Sequence, residues 1–146
     1  MSATNAAAEA KPTLEQQRAS FALQKIRDLQ NGELDYGHYV SYVSALPATI
    51  VTNGLGQALT TLVAKAKGKA QEPHRILFDH IAAWLSQRID ELQLRVPGND
   101  FTQVIDLLMQ ADQRTYVRAQ AEAMAFLNWL KQFSRAYLKE KEGQGD

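Results

Sequence analysis

The stretch Tyr36 to Val63, reading YGHYVSYVSALPATIVTNGLGQALTTLV, constrains this chain most, because two helical apolar stripes flank residues that helices resist. Tyr39, Val43 and Leu46 recur at steps of four and three with Val40 beside them. Leu55, Leu59, Leu62 and Val63 repeat the pattern after the interruption. Pro47 has no amide for a helix interior, so it is read as a first-turn residue of a new short helix over 48–52. Asn53-Gly54 signals a chain reversal or a left-handed helix end. Gly56 lies within the second stripe at a cost of about 1 kcal/mol against alanine. That cost predicts close backbone approach, either by another helix or by a bound polymer or neighbour. Pro47, Asn53, Gly54, Leu55 and Gly56 together form the expected structural turn.

Similar punctuation divides the rest of the chain. Thr13-Leu14-Glu15-Gln16 has capping-box spacing and opens a helix that Asn31-Gly32 ends, with Leu14, Phe21, Ala22, Ile26 and Leu29 as its stripe. Lys65, Lys67 and Lys69 surround the expected terminator Gly68. Glu72-Pro73 starts a helix of about five turns whose apolar face is Leu77, Ile81, Trp84, Leu85, Ile89 and Leu92. A loop at 94–99 carries Pro97-Gly98-Asn99. A second capping box, Asp100 to Gln103, then opens a short helix. Asp112, with Thr115 three residues on, begins the longest helix, expected to reach Lys139. Its stripe is Tyr116, Ala119, Ala123, Phe126, Leu127, Leu130, Phe133 and Tyr137. No segment makes a credible strand. The expected architecture is all-α: one domain at 13–139 with six to seven helices, a disordered tail at 1–12 and a flexible tail at 140–146.

With 146 residues there is chain for one core, and further division leaves pieces of marginal size. The chain has no cysteine, which excludes thiolate metal sites and thiol nucleophiles and fits a cytoplasmic protein. No apolar run approaches the roughly 20 residues that span a bilayer, so no membrane is expected as a partner. Sixteen basic residues balance sixteen acidic ones. No global positive field would gather a polyanion, so any nucleic-acid contact must be a local patch.

Catalytic signals are missing from the sequence. Gly54-Leu55-Gly56 lacks the remaining features of a phosphate loop, and His74 and His80 are spaced to point different ways. No catalytic residue, metal ligand or cofactor is expected. Trp84 and Trp129 are read as core and Tyr39 as inward. Tyr36 and Tyr42 are read as packing on a neighbour or stacking on bases. Two basic groups remain as candidates for phosphate contact. One is Lys65, Lys67 and Lys69; the other is Lys131, Arg135 and Lys139, spaced by four on the last helix, with Arg114 and Arg118 extending it.

The run YVSYVSALPATIVTNGLGQALTTLV, together with Tyr116-Val117-Arg118-Ala119-Gln120-Ala121-Glu122-Ala123 and Phe126-Leu127-Asn128-Trp129-Leu130-Lys131-Gln132-Phe133, resembles the small all-helical subunit of the Cmr complex, the type III-B CRISPR RNA-guided effector. The resemblance spans 13–139. It implies a non-catalytic structural subunit of antiviral defence, whose copies stack beside larger backbone subunits and line the groove where crRNA pairs with target RNA. Its implied partners are other Cmr subunits, further copies of itself, crRNA and target RNA. RNA cleavage would belong to the backbone subunits, and DNA cleavage and cyclic oligoadenylate synthesis to the large subunit. A helical DNA-binding regulator is the alternative, with 47–63 imitating a helix-turn-helix; a protein-interaction adaptor is another.

Overall fold

Thr13 opens the first helix by the reciprocal bond its sequence offers. Its hydroxyl accepts the Gln16 N–H at 3.1 Å, and Gln16 Oε1 accepts the Thr13 N–H at 2.8 Å. The computed structural model describes residues 10–32, 34–95 and 100–138. They form six α-helices: α1 Leu14–Asn31, α2 Gly37–Asn53, α3 Leu55–Ala66, α4 Pro73–Arg88, α5 Gln103–Gln110 and α6 Gln113–Tyr137. A 3-10 turn, Asp90–Leu92, follows α4, and no strand occurs among the described residues. The chain is therefore all-α, with its longest helix last. Lys139 and Pro97-Gly98-Asn99 lie outside the described residues, as do 1–9 and 140–146.

Pro47 departs from expectation. It lies inside α2 and opens no second helix. Tyr39, Val43, Leu46 and Ile50 step by four, three and four straight across it, and all are buried. Interior proline forfeits one hydrogen bond and crowds the preceding turn, costing about 3 kcal/mol. Burying each large aliphatic contributes about 1.5–3 kcal/mol, so keeping Val43, Leu46 and Ile50 on one face outweighs that cost. The helix stops at Gly54, whose N–H donates to the Ile50 carbonyl at 2.7 Å. Gly54 has φ 88° and ψ 159°, a region essentially restricted to glycine, and α3 begins at the next residue.

The fourth helix is shorter than its apolar spacing suggested. Glu72 caps it by accepting the His74 N–H, and Pro73 occupies its first turn. It ends at Arg88, with Ile89 extended at φ −115°. Asp90 and Glu91 would sit unfavourably at a helix C-terminus. The 3-10 turn instead returns Leu92 to the core, so Ile89 and Leu92 are both buried without being helical in α4. The second expected capping box also takes another form. Asp100 Oδ1 accepts the Thr102 N–H at 2.9 Å and an Arg75 Nη2–H at 2.6 Å, while Thr102 itself has helical angles ahead of α5.

Packing centres on α6, which lies along α1 and α2, while α3 lies on α4. Phe21, Trp84 and Phe126 meet where α1, α4 and α6 converge, with ring centroids 5.3–5.8 Å apart. Beside them Glu122 accepts Arg18 Nε–H at 2.6 Å and Trp84 Nε1–H at 2.8 Å on Oε2, and Arg18 Nη2–H at 2.9 Å on Oε1. Burial alone would raise the Glu122 pKa, but the bonds from Arg18 and Trp84 outweigh it and hold the carboxyl below the usual range. Between α2 and α4, the buried Tyr39 hydroxyl lies 2.7 Å from His80 Nδ1.

Two outcomes follow from this packing. Replacing Pro47→Ala restores a helix hydrogen bond and is expected to stabilise the protein by about 1–3 kcal/mol in denaturant unfolding. A neutral or destabilising result would restore Pro47 as the start of a separate helix. Burial, with a smaller contribution from Lys25, lowers the His80 pKa from 6.5 to about 3. The unfolded chain therefore binds this proton first, and stability present above pH 6.5 is lost as pH falls toward 3. The loss is at most about 1.4 kcal/mol per pH unit. His80→Gln is expected to flatten that part of the stability profile, measured from about pH 7 down to about pH 4.

Candidate nucleic-acid interface

The charge pattern of α6 comes from where its single acid points. Gln113–Tyr137 contains Arg114, Arg118, Lys131 and Arg135, and only one carboxylate, Glu122. Position 122 lies three residues after Ala119 and four before Phe126, on the buried side, and is 8% exposed. The outward face of α6 therefore carries cations and no acid of its own. Arg114, Arg118 and Arg135 are exposed and Lys131 is half-buried. Arg118 meets Glu91 of the 3-10 turn at 3.5 Å, with both side chains 52% exposed, a pairing of small energetic weight. At 100° per residue, Arg114 and Arg135 fall within about 60° of each other around the axis, at opposite ends of the helix.

The lysine cluster is built at the end of α3. Lys65 occupies the last turn, Lys67 is left-handed at φ 53°, and Gly68 follows at φ 76°. Lys67 and Lys69 donate their N–H groups to Ala64 and Ala66, at 3.2 and 3.0 Å, which closes the turn. All three lysines are exposed. Two residues further on, Gln71 Oε1 accepts the Tyr36 hydroxyl at 3.1 Å. Tyr36 in turn shares a surface depression with Tyr137 and Leu138. Gln30 Nε2–H reaches the Tyr137 carbonyl at 3.4 Å. The lysine turn and the Arg135 end of α6 thus lie at the same end of the bundle.

The expected turn residues occupy the other end and serve packing. Leu55 N–H donates to Gln120 Oε1 at 2.9 Å, and Gly56 N–H to the Tyr116 hydroxyl at 2.7 Å. A Cβ on Gly56 would stand 2.6 Å from Met109 Cε and 3.1 Å from the Tyr116 hydroxyl. The close approach inferred for Gly56 is therefore made by α5 and α6. Asn53 is the last residue of α2, and Pro47 is half-buried within it.

Tertiary folding also pairs aromatic groups that the sequence left separate. Tyr42 stacks on His74 with centroids 3.7 Å apart, and His38 lies near-parallel to Tyr42 at 6.0 Å. Trp84 is buried, whereas Trp129 is only partly covered and stacks on Phe133 at 5.5 Å. Arg18 and Glu122 are not legible as a pair, because 104 residues separate them. The readable signal is an acid placed on the apolar stripe of a helix. Among the described residues, no group of three histidine, aspartate or glutamate side chains is arranged to hold a metal ion. None of the described helices is long and apolar enough to cross a membrane.

Comparison with known proteins agrees with this geometry. The family model for CRISPR-associated protein Cas_Cmr5 matches residues 14–137, the whole run from α1 to the end of α6. A Thermus thermophilus protein, CRISPR system Cmr subunit Cmr5, is 27% identical over 122 residues, covering 84% of this chain and 93% of its own. The crystal structure of a CRISPR-associated Cmr5 family protein from Thermus thermophilus superposes with a TM-score of 0.68 at 25% identity, covering 88% of this chain and 100% of that one. The chain belongs to the Cas_Cmr5 family of CRISPR-associated proteins, as a small, all-helical, non-catalytic member.

Proposed function

We propose that this protein is a scaffold subunit of a type III-B CRISPR ribonucleoprotein, stacking with copies of itself beside other Cmr subunits and lining the groove that holds crRNA and target RNA. Family membership supports the assembly. The observation that supports the RNA contact is the outward face of α6, where Arg114, Arg118, Lys131 and Arg135 stand while Glu122 is buried against Arg18 and Trp84. Lys65, Lys67 and Lys69 extend positive charge at the Arg135 end. The chain as a whole is neutral, so one copy holds RNA weakly. Repetition along an assembly multiplies modest phosphate contacts into useful affinity.

The regulator alternative fits less well. Its recognition helix would be α3, but Gln120 and Tyr116 already take the first N–H groups of that helix, and α6 covers its start. Reconstitution of the complex with Lys131→Glu/Arg135→Glu tests the RNA reading. Assembly is expected to remain complete while target-RNA affinity falls. The slope of log affinity against log salt should shrink by about 0.7–0.9 for each phosphate no longer neutralised. Unchanged affinity and slope in fully assembled complexes would remove α6 from the groove.

A further inference from the structure

We infer that the cleft where α2, α3 and the start of α4 meet takes one unpaired nucleobase of single-stranded RNA, with the neighbouring phosphate on Lys65; this rests on the RNA reading above. The cleft encloses about 120 Å³ and is lined in part by Tyr42, Leu46, Ala58, Thr61, Lys65 and His74. Its floor is apolar because Leu46 and Ala58 belong to the core. Its wall is aromatic, since the Tyr42 ring lies 16° from parallel with His74, and His38 continues the series at 14°. Glu72 holds His74 in that pose, accepting its backbone N–H and facing its Nδ1 at 2.7 Å. The platform is thus assembled before a ligand arrives.

The shape and charge of the cleft select the ligand class. Tyr42 and His74 cover each other's facing sides at 3.7 Å, so a flat heterocycle in the cleft packs on the apolar floor and stacks on the outer, His74 side of this pair without needing a specific edge. The space is well below the roughly 300–1,000 Å³ of drug-sized sites, which leaves room for a single ring system and not for a peptide helix. Lys65 at the rim, with Lys67 and Lys69 on the following turn, favours a heterocycle carried on an anionic backbone. Glu72 lies behind His74, whose backbone and ring engage its carboxylate, and is not among the residues that line the cleft. A paired base cannot present its face, so the ligand is single-stranded.

The full-length protein titrated at low salt with labelled oligouridine, and with an abasic oligonucleotide of equal length, separates base from backbone. Wild type is expected to bind oligouridine roughly tenfold more tightly than the abasic strand, within the range of one stacked base. Tyr42→Leu removes the ring, and Thr61→Leu blocks the rim from an exposed helix position that leaves the core intact. Both are expected to bring the two affinities together without changing the salt slope, with native circular dichroism. Lys65→Ala should instead weaken both strands alike and lower the slope. If both folded variants keep the wild-type preference, or wild type shows none while still binding RNA, the cleft is not a base site and the RNA reading stands. If wild type binds neither strand, the cleft is not a base site, and the RNA reading is decided separately by the reconstituted complex.

Discussion

The three-way contact of Arg18, Glu122 and Trp84 fixes both the shape of this bundle and the charge of its surface. It joins α1, α4 and α6, whose residues come from opposite ends of the chain. Removing Arg18 would leave the buried Glu122 carboxylate without its cation, at a cost of about 3–5 kcal/mol. Removing Glu122 leaves Arg18 on Glu15 at 3.0 Å and Trp84 Nε1–H without an acceptor. The intact pair nevertheless need contribute little beyond a well-packed apolar substitute. Its value is orientational. With Glu122 turned inward, the outward face of α6 carries two pairs of cations, Arg114 with Arg118 and Lys131 with Arg135, and no acid of its own. Phe21, Trp84 and Phe126 close the space around the buried carboxylate.

A second constraint organises the far end. Gly54 ends α2 and α3 follows at once, so the first N–H groups of α3 have no local side chain to satisfy them. Gln120 and Tyr116 supply the acceptors from α6. One long helix therefore bonds the start of α3 at one end, clamps α1 and α4 midway, and carries Arg135 near the lysine turn. A chain with equal numbers of acids and bases thus gathers cations on the outward face of α6 through placement.

Local chemistry makes much of this readable from the residues. Thr13 with Gln16, Glu72 with Pro73, and Asp112 with Thr115 all open helices as their side chains predict, because each cap is settled within four residues. Pro47 defies its sequence reading because a local dislike of helix loses to a register carried by Ile50 on one side and Val43 on the other. The end of α4 falls short of expectation because Leu92 keeps helical spacing while a 3-10 turn delivers it. Periodicity reports that a residue is buried, not which backbone brings it there. The basic residues are legible as candidates, but their common end of the bundle depends on Tyr36 meeting Gln71 across 35 residues. The Tyr42–His74 stack and the Arg18–Glu122 pair are equally non-local, and spacing within one helix carries no sign of them.

The coupling between Arg18 and Glu122 is measured most directly by a double-mutant cycle in denaturant unfolding. Arg18→Met and Glu122→Leu are each expected to destabilise the protein by about 3 kcal/mol, while the double variant loses less than the sum because no buried charge is left unpaired. The remaining loss is the Trp84 Nε1–H that no longer has an acceptor. Such a result would show that the burial of Glu122 on α6 depends on its pairing with Arg18. Losses that simply add would mean that the two residues act independently, and that the burial of Glu122 does not depend on Arg18.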